Sequence, residues 1–103
     1  MVTPFQERVY EALLLIPKGK VTTYKFLWDF IGCRSAQAIG QALTRNPDAP
    51  VVPCHRVIRT DGTIGGYAFG VSQKKAILAS EGVYFDKKDF LLAPQDSLWQ
   101  FIS

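Results

Sequence analysis

The chain has 103 residues, with 12 lysines and arginines against 9 aspartates and glutamates, a net charge of +3, and 48% hydrophobic and 13% aromatic content. That composition supports a core and excludes disorder over most of the length, and a single domain of this size buries roughly two-thirds of its unfolded surface. The mild basic excess suits a nucleic-acid partner without demonstrating one, no apolar run is long enough to span a bilayer, and two cysteines with one histidine lack the paired spacing of a zinc site.

Met1-Val2-Thr3-Pro4-Phe5 runs straight into an amphipathic pattern rather than a secretory leader, so a reduced, intracellular protein is expected. Thr3-Pro4-Phe5-Gln6 has the form of a helix start, with threonine as N-cap, proline at the first helical position and glutamine at the third. Phe5, Val9, Ala12, Leu13 and Ile16 recur at helical spacing, which predicts one apolar face through about Leu15, ended by Pro17-Lys18-Gly19-Lys20. Val21 and Thr22 lead into a second helix over roughly Thr23–Ile31, with Phe26, Leu27, Phe30 and Ile31 as its buried face. Gly32-Cys33-Arg34-Ser35 reads as a turn with a serine cap, and a third helix runs from Ala36 to Thr44. The outline is that of a helix-turn-helix, although a plain helical hairpin in a core has the same pattern. Gly40 costs about 1 kcal/mol against alanine in a helix interior, which hints that something approaches the backbone there. Ala36, Ala38 and Ala42 would let this helix lie flat on a partner surface.

Asn46 to Pro50 is a loop, and Val51-Val52 and Val57-Ile58 flank the Pro-Cys-His-Arg turn as short extended pieces. Thr60-Asp61-Gly62-Thr63 reads as a tight turn, and Ile64 to Gly70 as a flexible loop able to cover a pocket. Ser72 is expected to cap a fourth helix with Ala76, Ile77 and Leu78 inward, ending at Glu81-Gly82. In the tail from Val83 to Ser103, the side chains of Phe85, Phe90, Leu91, Leu92, Leu98, Trp99, Phe101 and Ile102 are too apolar to be left solvated. The tail is therefore expected to pack on the domain or on a second copy.

Chemistry is expected at Pro53-Cys54-His55-Arg56-Val57-Ile58, where a thiol sits beside the only histidine. A thiol is a strong nucleophile only as thiolate, which a nearby base or cation favours. Sequence neighbours rarely face each other, so a relay from Cys54 to His55 through one water is expected rather than a direct bond. A third group, a carboxylate, then orients the imidazole. The residues alone leave a second reading open, a buried cysteine at a strand end beside a surface histidine.

Asn46-Pro47, Pro53-Cys54-His55-Arg56-Val57, Gly66-Tyr67 and Glu81-Gly82, in this order, resemble the DNA-binding and active-site domain of the O6-alkylguanine-DNA alkyltransferases, also called methylated-DNA–protein-cysteine methyltransferases. The likeness runs from Phe5 to about Gly82. It implies a mainly α fold with short β elements, a helix-turn-helix or winged-helix-like alkyltransferase domain over residues 1–82, with 83–103 an apolar C-terminal extension packed on it. The family's usual N-terminal accessory domain, and the metal site it can carry, are not expected, nor is any cofactor.

In that family a thiolate takes an alkyl group from O6 of a guanine flipped out of the duplex, and the cysteine stays alkylated. The resemblance makes Cys54 the acceptor, His55 the base acting through a water and Glu81 the carboxylate that orients the ring. Tyr24 matches the tyrosine that protonates the departing guanine, and Asn46 the asparagine that holds the active-site turn. The carbonyls of Cys54 and Val57 would bind the guanine amino group, and amides of the Tyr67–Ala68 loop would face O6. The third helix becomes the recognition helix, entering the minor groove, which accounts for the small residues Ala36, Ala38, Gly40 and Ala42. Arg34, Arg45 and Lys74 are then candidate phosphate contacts, with Arg56 a further DNA-binding candidate. A Cys54 pKa below the free-thiol value of about 8.5 is expected, lowered by a protonated His55. The implied partner is double-stranded DNA carrying O6-alkylguanine, bound by a monomer in the cytoplasm, or in the nucleus of a eukaryote.

Two positions depart from the family pattern. Gln37 stands where an arginine usually fills the space left by the flipped base, and a weaker plug slows or weakens damage capture. Ala68 and Phe69 replace the usual serine and glycine, so Phe69 either narrows the pocket or closes over the alkyl group. Irreversible transfer to Cys54 is the leading reading. Its alternative is an alkyltransferase-like binder that holds damaged DNA for other repair machinery, a class that characteristically lacks this thiol. A plain helix-turn-helix regulator would leave Cys54, His55 and Glu81 idle.

Overall fold

In the computed structural model, residues 3–32, 35–47, 51–67 and 69–101 are described. Helix α1 (Pro4–Leu14) opens on a capping box: Thr3 Oγ1 accepts from the Gln6 amide at 3.1 Å and Gln6 Oε1 from the Thr3 amide at 3.0 Å. Two of the amides that a helix start leaves unpaired are thereby satisfied. Thr23 caps α2 (Tyr24–Ile31), which ends at Gly32 with φ +83°, and Ser35 caps α3 (Ala36–Thr44) by accepting from the Ala38 amide at 3.1 Å. These bounds follow the hydrophobic period closely. The three helices pack on one another around Val9, Leu13, Leu27, Ile39 and Leu43, and the Tyr10 hydroxyl donates to the Ala42 carbonyl at 2.8 Å. In α2, Leu27 and Ile31 are buried as expected, while Phe30 stays 40% exposed.

A two-stranded parallel sheet joins β1 (Thr22–Thr23) to β2 (Val57–Ile58), with Thr22 opposite Val57 and Thr23 opposite Ile58. Thr22 and Thr23, expected only as a lead-in to α2, are strand residues buried on both sides of the pairing. Val51-Val52 is not a strand: Val51 is 80% exposed and only Val52 turns inward. Between them and β2, Cys54–Arg56 wind as one turn of 3-10 helix.

Helix α4 (Val71–Ser80) differs from expectation at its start and on its inner face. Gly70, not Ser72, is the cap residue, and the buried positions are Lys74 and Leu78 while Ala76 is exposed. The helix ends in a Schellman motif. The Val83 amide donates to the Leu78 carbonyl at 2.9 Å and the Gly82 amide to the Ala79 carbonyl at 3.0 Å, with Gly82 at φ +89°. Val83 and Leu78 then meet in a second cluster with Val21, Ile58 and Ile64.

Beyond Val83 the chain turns back over the domain. Phe85 bridges Leu91, Phe90 bridges Thr63, and after the short α5 (Pro94–Ser97) Leu98 bridges Val21. The Trp99 amide donates to the Val21 carbonyl at 2.7 Å, and the Phe101 ring stacks on Phe30 with centroids 4.5 Å apart. Phe90, Leu92 and Leu98 keep substantial exposure, and Ile102 lies outside the described residues. No described helix is long and apolar enough to cross a membrane.

Candidate active site

Pro53 enters a turn in which three backbone bonds follow one another: Cys54 amide to Val52 carbonyl at 2.9 Å, Arg56 amide to Pro53 carbonyl at 3.1 Å, and Val57 amide to Cys54 carbonyl. Asn46 braces this turn from the end of α3, its Nδ2 donating to the Val52 carbonyl at 2.7 Å. The Cys54 thiol is hydrogen-bonded by the side chains of Asn46 and Tyr67. It faces a cavity of about 590 Å³, walled by Tyr24, Val57, Gly66 and Tyr67 on one side and by Gln37, Gly40, Gln41, Thr44 and Arg45 of α3 and its end on the other. The helix-turn-helix and the thiol therefore share one opening. An added Cβ at Gly40 would meet nothing within 4 Å, so the helix is open at that point on the cavity wall.

The Schellman end of α4 places Glu81 at the C-cap, just after Ser80, where three nitrogens of two side chains converge on its carboxylate. Arg56 Nε donates to Oε1 at 3.0 Å, Arg56 Nη2 to Oε2 at 2.8 Å, and His55 Nε2 lies 3.1 Å from Oε2. Arg56 Nη1 donates onward to the Ile16 carbonyl at 2.9 Å. Gly19, at φ +85°, lies beneath, and a Cβ there would stand 3.2 Å from the Glu81 carbonyl oxygen. Burial pushes the Glu81 carboxyl up, but its hydrogen bonds to Arg56 and His55 outweigh that and hold it below the usual range. Glu81 is thus an ionised acceptor and His55 Nε2 carries the proton toward it. Burial pushes His55 down, so the ring is neutral near pH 7 and its Nδ1 holds a lone pair. That atom is buried and bonded to no protein group among the described residues.

Five expectations need correction. Arg56 is not an available DNA contact, because its guanidinium is spent on Glu81 and the Ile16 carbonyl. Lys74 is not a phosphate contact: it is 2% exposed and its ammonium is bound to the carbonyls of Val57, Ile64 and Gly66. The Cys54 thiol is raised, not lowered. Burial dominates, and the hydrogen bond from Asn46 and the charge of Lys74 only partly offset it. The loop from Ile64 is anchored, since Ile64 and Gly65 are buried. Phe69 does not wall the cavity; it is 60% exposed with its ring edge-on to Tyr67 at 5.5 Å. Cys54, His55, Glu81, Tyr24, Asn46, Val57 and Tyr67 gather at the site, with Gln37, Gly40 and Arg45 along its rim. Cys33, Arg34 and Ala68 lie outside the described residues, as does the side chain of Ala36. Gln41 and Thr44 were missed as cavity residues, although they stand one and two turns beyond Gln37 on the same helical face.

A helix-turn-helix domain built around a cysteine turn, with the cysteine opening beside the second helix of the motif, defines the class. Residues 4–83 match the family described as 6-O-methylguanine DNA methyltransferase, DNA binding domain, and the chain belongs to that family. It is 49% identical over 80 residues to the methylated-DNA–protein-cysteine methyltransferase of Saccharolobus solfataricus, covering 78% of this chain and 52% of that protein. Mycobacterium tuberculosis OGT in complex with DNA superposes with a TM-score of 0.76 at 44% identity, covering 80% of this chain and 51% of that one. Atl1 of S. pombe, in complex with damaged DNA containing O6-carboxymethylguanine, superposes with a TM-score of 0.78 at 32% identity over 94% of this chain and 95% of that one. The chain spans about half the length of the curated relatives it matches.

Proposed function

We propose that this protein repairs DNA by accepting the alkyl group of an O6-alkylguanine on Cys54, once and irreversibly. The observation that supports this reading is the thiol itself, set in a cavity wall beside the helix-turn-helix and within a Tyr24, Asn46, Tyr67 and His55–Glu81 constellation. The Cys54 proton passes through one water to His55 Nδ1, the basic atom left by the Nε2–Glu81 bond. The thiolate attacks the alkyl carbon, a C–S bond forms as the C–O6 bond breaks, and the electron pair leaves on guanine. Tyr24, at the first turn of α2, donates the proton that neutralises the leaving guanine at a ring nitrogen. The product is a thioether, so nothing regenerates the acceptor. The flipped guanine enters from the minor groove with α3 against the DNA, Gln37 in the vacated stack and Arg45 on phosphate. The protein acts as a monomer, in the cytoplasm or, in a eukaryote, the nucleus.

Intact-protein mass after incubation with methylated duplex DNA tests this directly. One methyl group gained on the Cys54 peptide is expected, with none gained by Cys54→Ala or Cys54→Ser although both still bind the duplex. Methyl transfer to any other residue of Cys54→Ala overturns the assignment. A second reading, a non-catalytic binder of alkylated DNA, is favoured by the likeness to Atl1 over nearly the whole of both chains. Tight binding without a mass gain in the unaltered protein would establish it instead.

A further inference from the structure

Lys74 is a buried cation that the transfer chemistry above does not use. It lies on the inner face of α4, and its Nζ donates to the carbonyls of Val57 at 2.8 Å, Ile64 at 2.6 Å and Gly66 at 3.1 Å. An ammonium has three donors, so all are taken, and no carboxylate pairs with it among the described residues. Burying an unpaired charge is costly, and a site that keeps one has a use for it or a strong local reason. Burial brings the Lys74 pKa down to about 8, which leaves it mostly protonated near neutral pH.

The bonded carbonyls come from the two segments that frame the thiol. The Val57 amide donates to the Cys54 carbonyl, so Val57 closes the cysteine turn, and Gly66 precedes Tyr67, whose side chain bonds the thiol. The ionisable groups facing this region are Cys54, His55 and Arg56 from the turn, Arg59 after β2, Tyr67 from the loop, Tyr24 from α2 and Glu81 at the end of α4. Arg56 is neutralised by Glu81, and Arg59 is exposed. Lys74 is the buried cation that acts on the sulfur.

We propose that Lys74 is a positioning residue for the thiolate: its ammonium ties the cysteine turn to the loop that carries Tyr67, and it supplies the buried positive charge that favours ionised Cys54. The role rests on the reading of Cys54 as the alkyl acceptor, but its electrostatic half is measurable without DNA. Iodoacetamide modification of the Cys54 peptide, followed by mass against pH, reads the thiol directly. Lys74→Gln keeps two N–H donors and loses the charge. Its thiol profile is expected to move to higher pH, with the rate near pH 7 falling at least threefold, while its circular dichroism shows a folded chain. A folded Lys74→Gln with an unchanged profile overturns the proposal. If that variant does not fold, the unaltered protein decides. A buried charge is poorly screened, so the wild-type profile is expected to hold between about 0.05 and 0.5 M salt. A profile that climbs with salt would assign the supporting charge to exposed cations such as Arg45 and overturn it. A protein that shows these thiol profiles yet takes no methyl from DNA would refute the acceptor reading and leave the coupling standing.

Discussion

Arg56 grips the Glu81 carboxylate through two nitrogens and uses a third on the Ile16 carbonyl, so one side chain locks the end of α4 to the end of α1. Hydrogen bonds to charged groups contribute about 1.5–3 kcal/mol each when a buried partner would be stranded, and partial exposure lowers that. Arg56→Ala is therefore expected to cost about 2 kcal/mol at neutral pH, read as a lower urea midpoint at unchanged slope. The pH dependence has a definite sign. Glu81 is held below its ordinary 4.5 in the folded state, so the stability it carries is complete above that value and is lost as pH falls through the folded pKa. Wild type and Arg56→Ala should converge as the medium is acidified below about 4.5. Their duplex binding should show the same salt slope, because the Arg56 guanidinium is engaged by Glu81 and the Ile16 carbonyl. A reduced slope in the variant would return Arg56 to the DNA surface. The wild-type role of this arginine was not legible in the motif: Glu81 and Ile16 lie far from it in the chain, and only the fold brings them to its guanidinium.

α3 is the element whose role depends most on one side chain. Gln37 is exposed at the cavity rim, with Gln41 and Thr44 one and two turns further along the same face. If Gln37 fills the space vacated by the flipped guanine, Gln37→Ala leaves that space empty and the few kcal/mol of unstacking uncompensated. Transfer from methylated duplex is then expected to slow about tenfold, while transfer from free O6-methylguanine, which needs no flipping, stays within about twofold. Single-turnover rates on the two substrates check this, and equal slowing of both would show damage to the pocket rather than loss of a plug. The bounds of α3 were readable because Ser35 caps it locally and the apolar period is unbroken. The inner face of α4 was not. Lys74 and Leu78 share that face at helical spacing, but a lysine reads as solvated until the carbonyls of Val57, Ile64 and Gly66 are brought to its ammonium by tertiary contacts.

Across the whole molecule, the signals that survived were local: the Thr3–Gln6 capping box, the Ser35 cap and the glycine-ended α4 that sets Glu81 in place, whereas Ser72 yielded the start of α4 to Gly70. The β1–β2 pairing escaped notice because two-residue strands carry no period, and Thr23 also serves as the cap of α2. The cysteine, histidine and glutamate were legible by family likeness, whereas the raised thiol is a property of the burial around it. The chain beyond Val83 is coupled to this architecture through Phe101, which is 9% exposed, stacks on Phe30 and meets Trp99 edge-on at 4.8 Å. Trp99 is in turn bonded to Val21, the residue before β1, and β1 pairs with the strand that follows the cysteine turn. Truncating a buried phenylalanine costs about 3 kcal/mol, and each kcal/mol moves the Tm of a domain this size by about 4–8 °C. Phe101→Ala is expected to lower Tm by about 15 °C. Phe101 lies outside the cavity wall, so the single-turnover rate measured well below the melting range should change less than twofold. A Tm that does not move would detach the tail from the core, and a large loss of rate at unchanged Tm would show that it reaches the thiol.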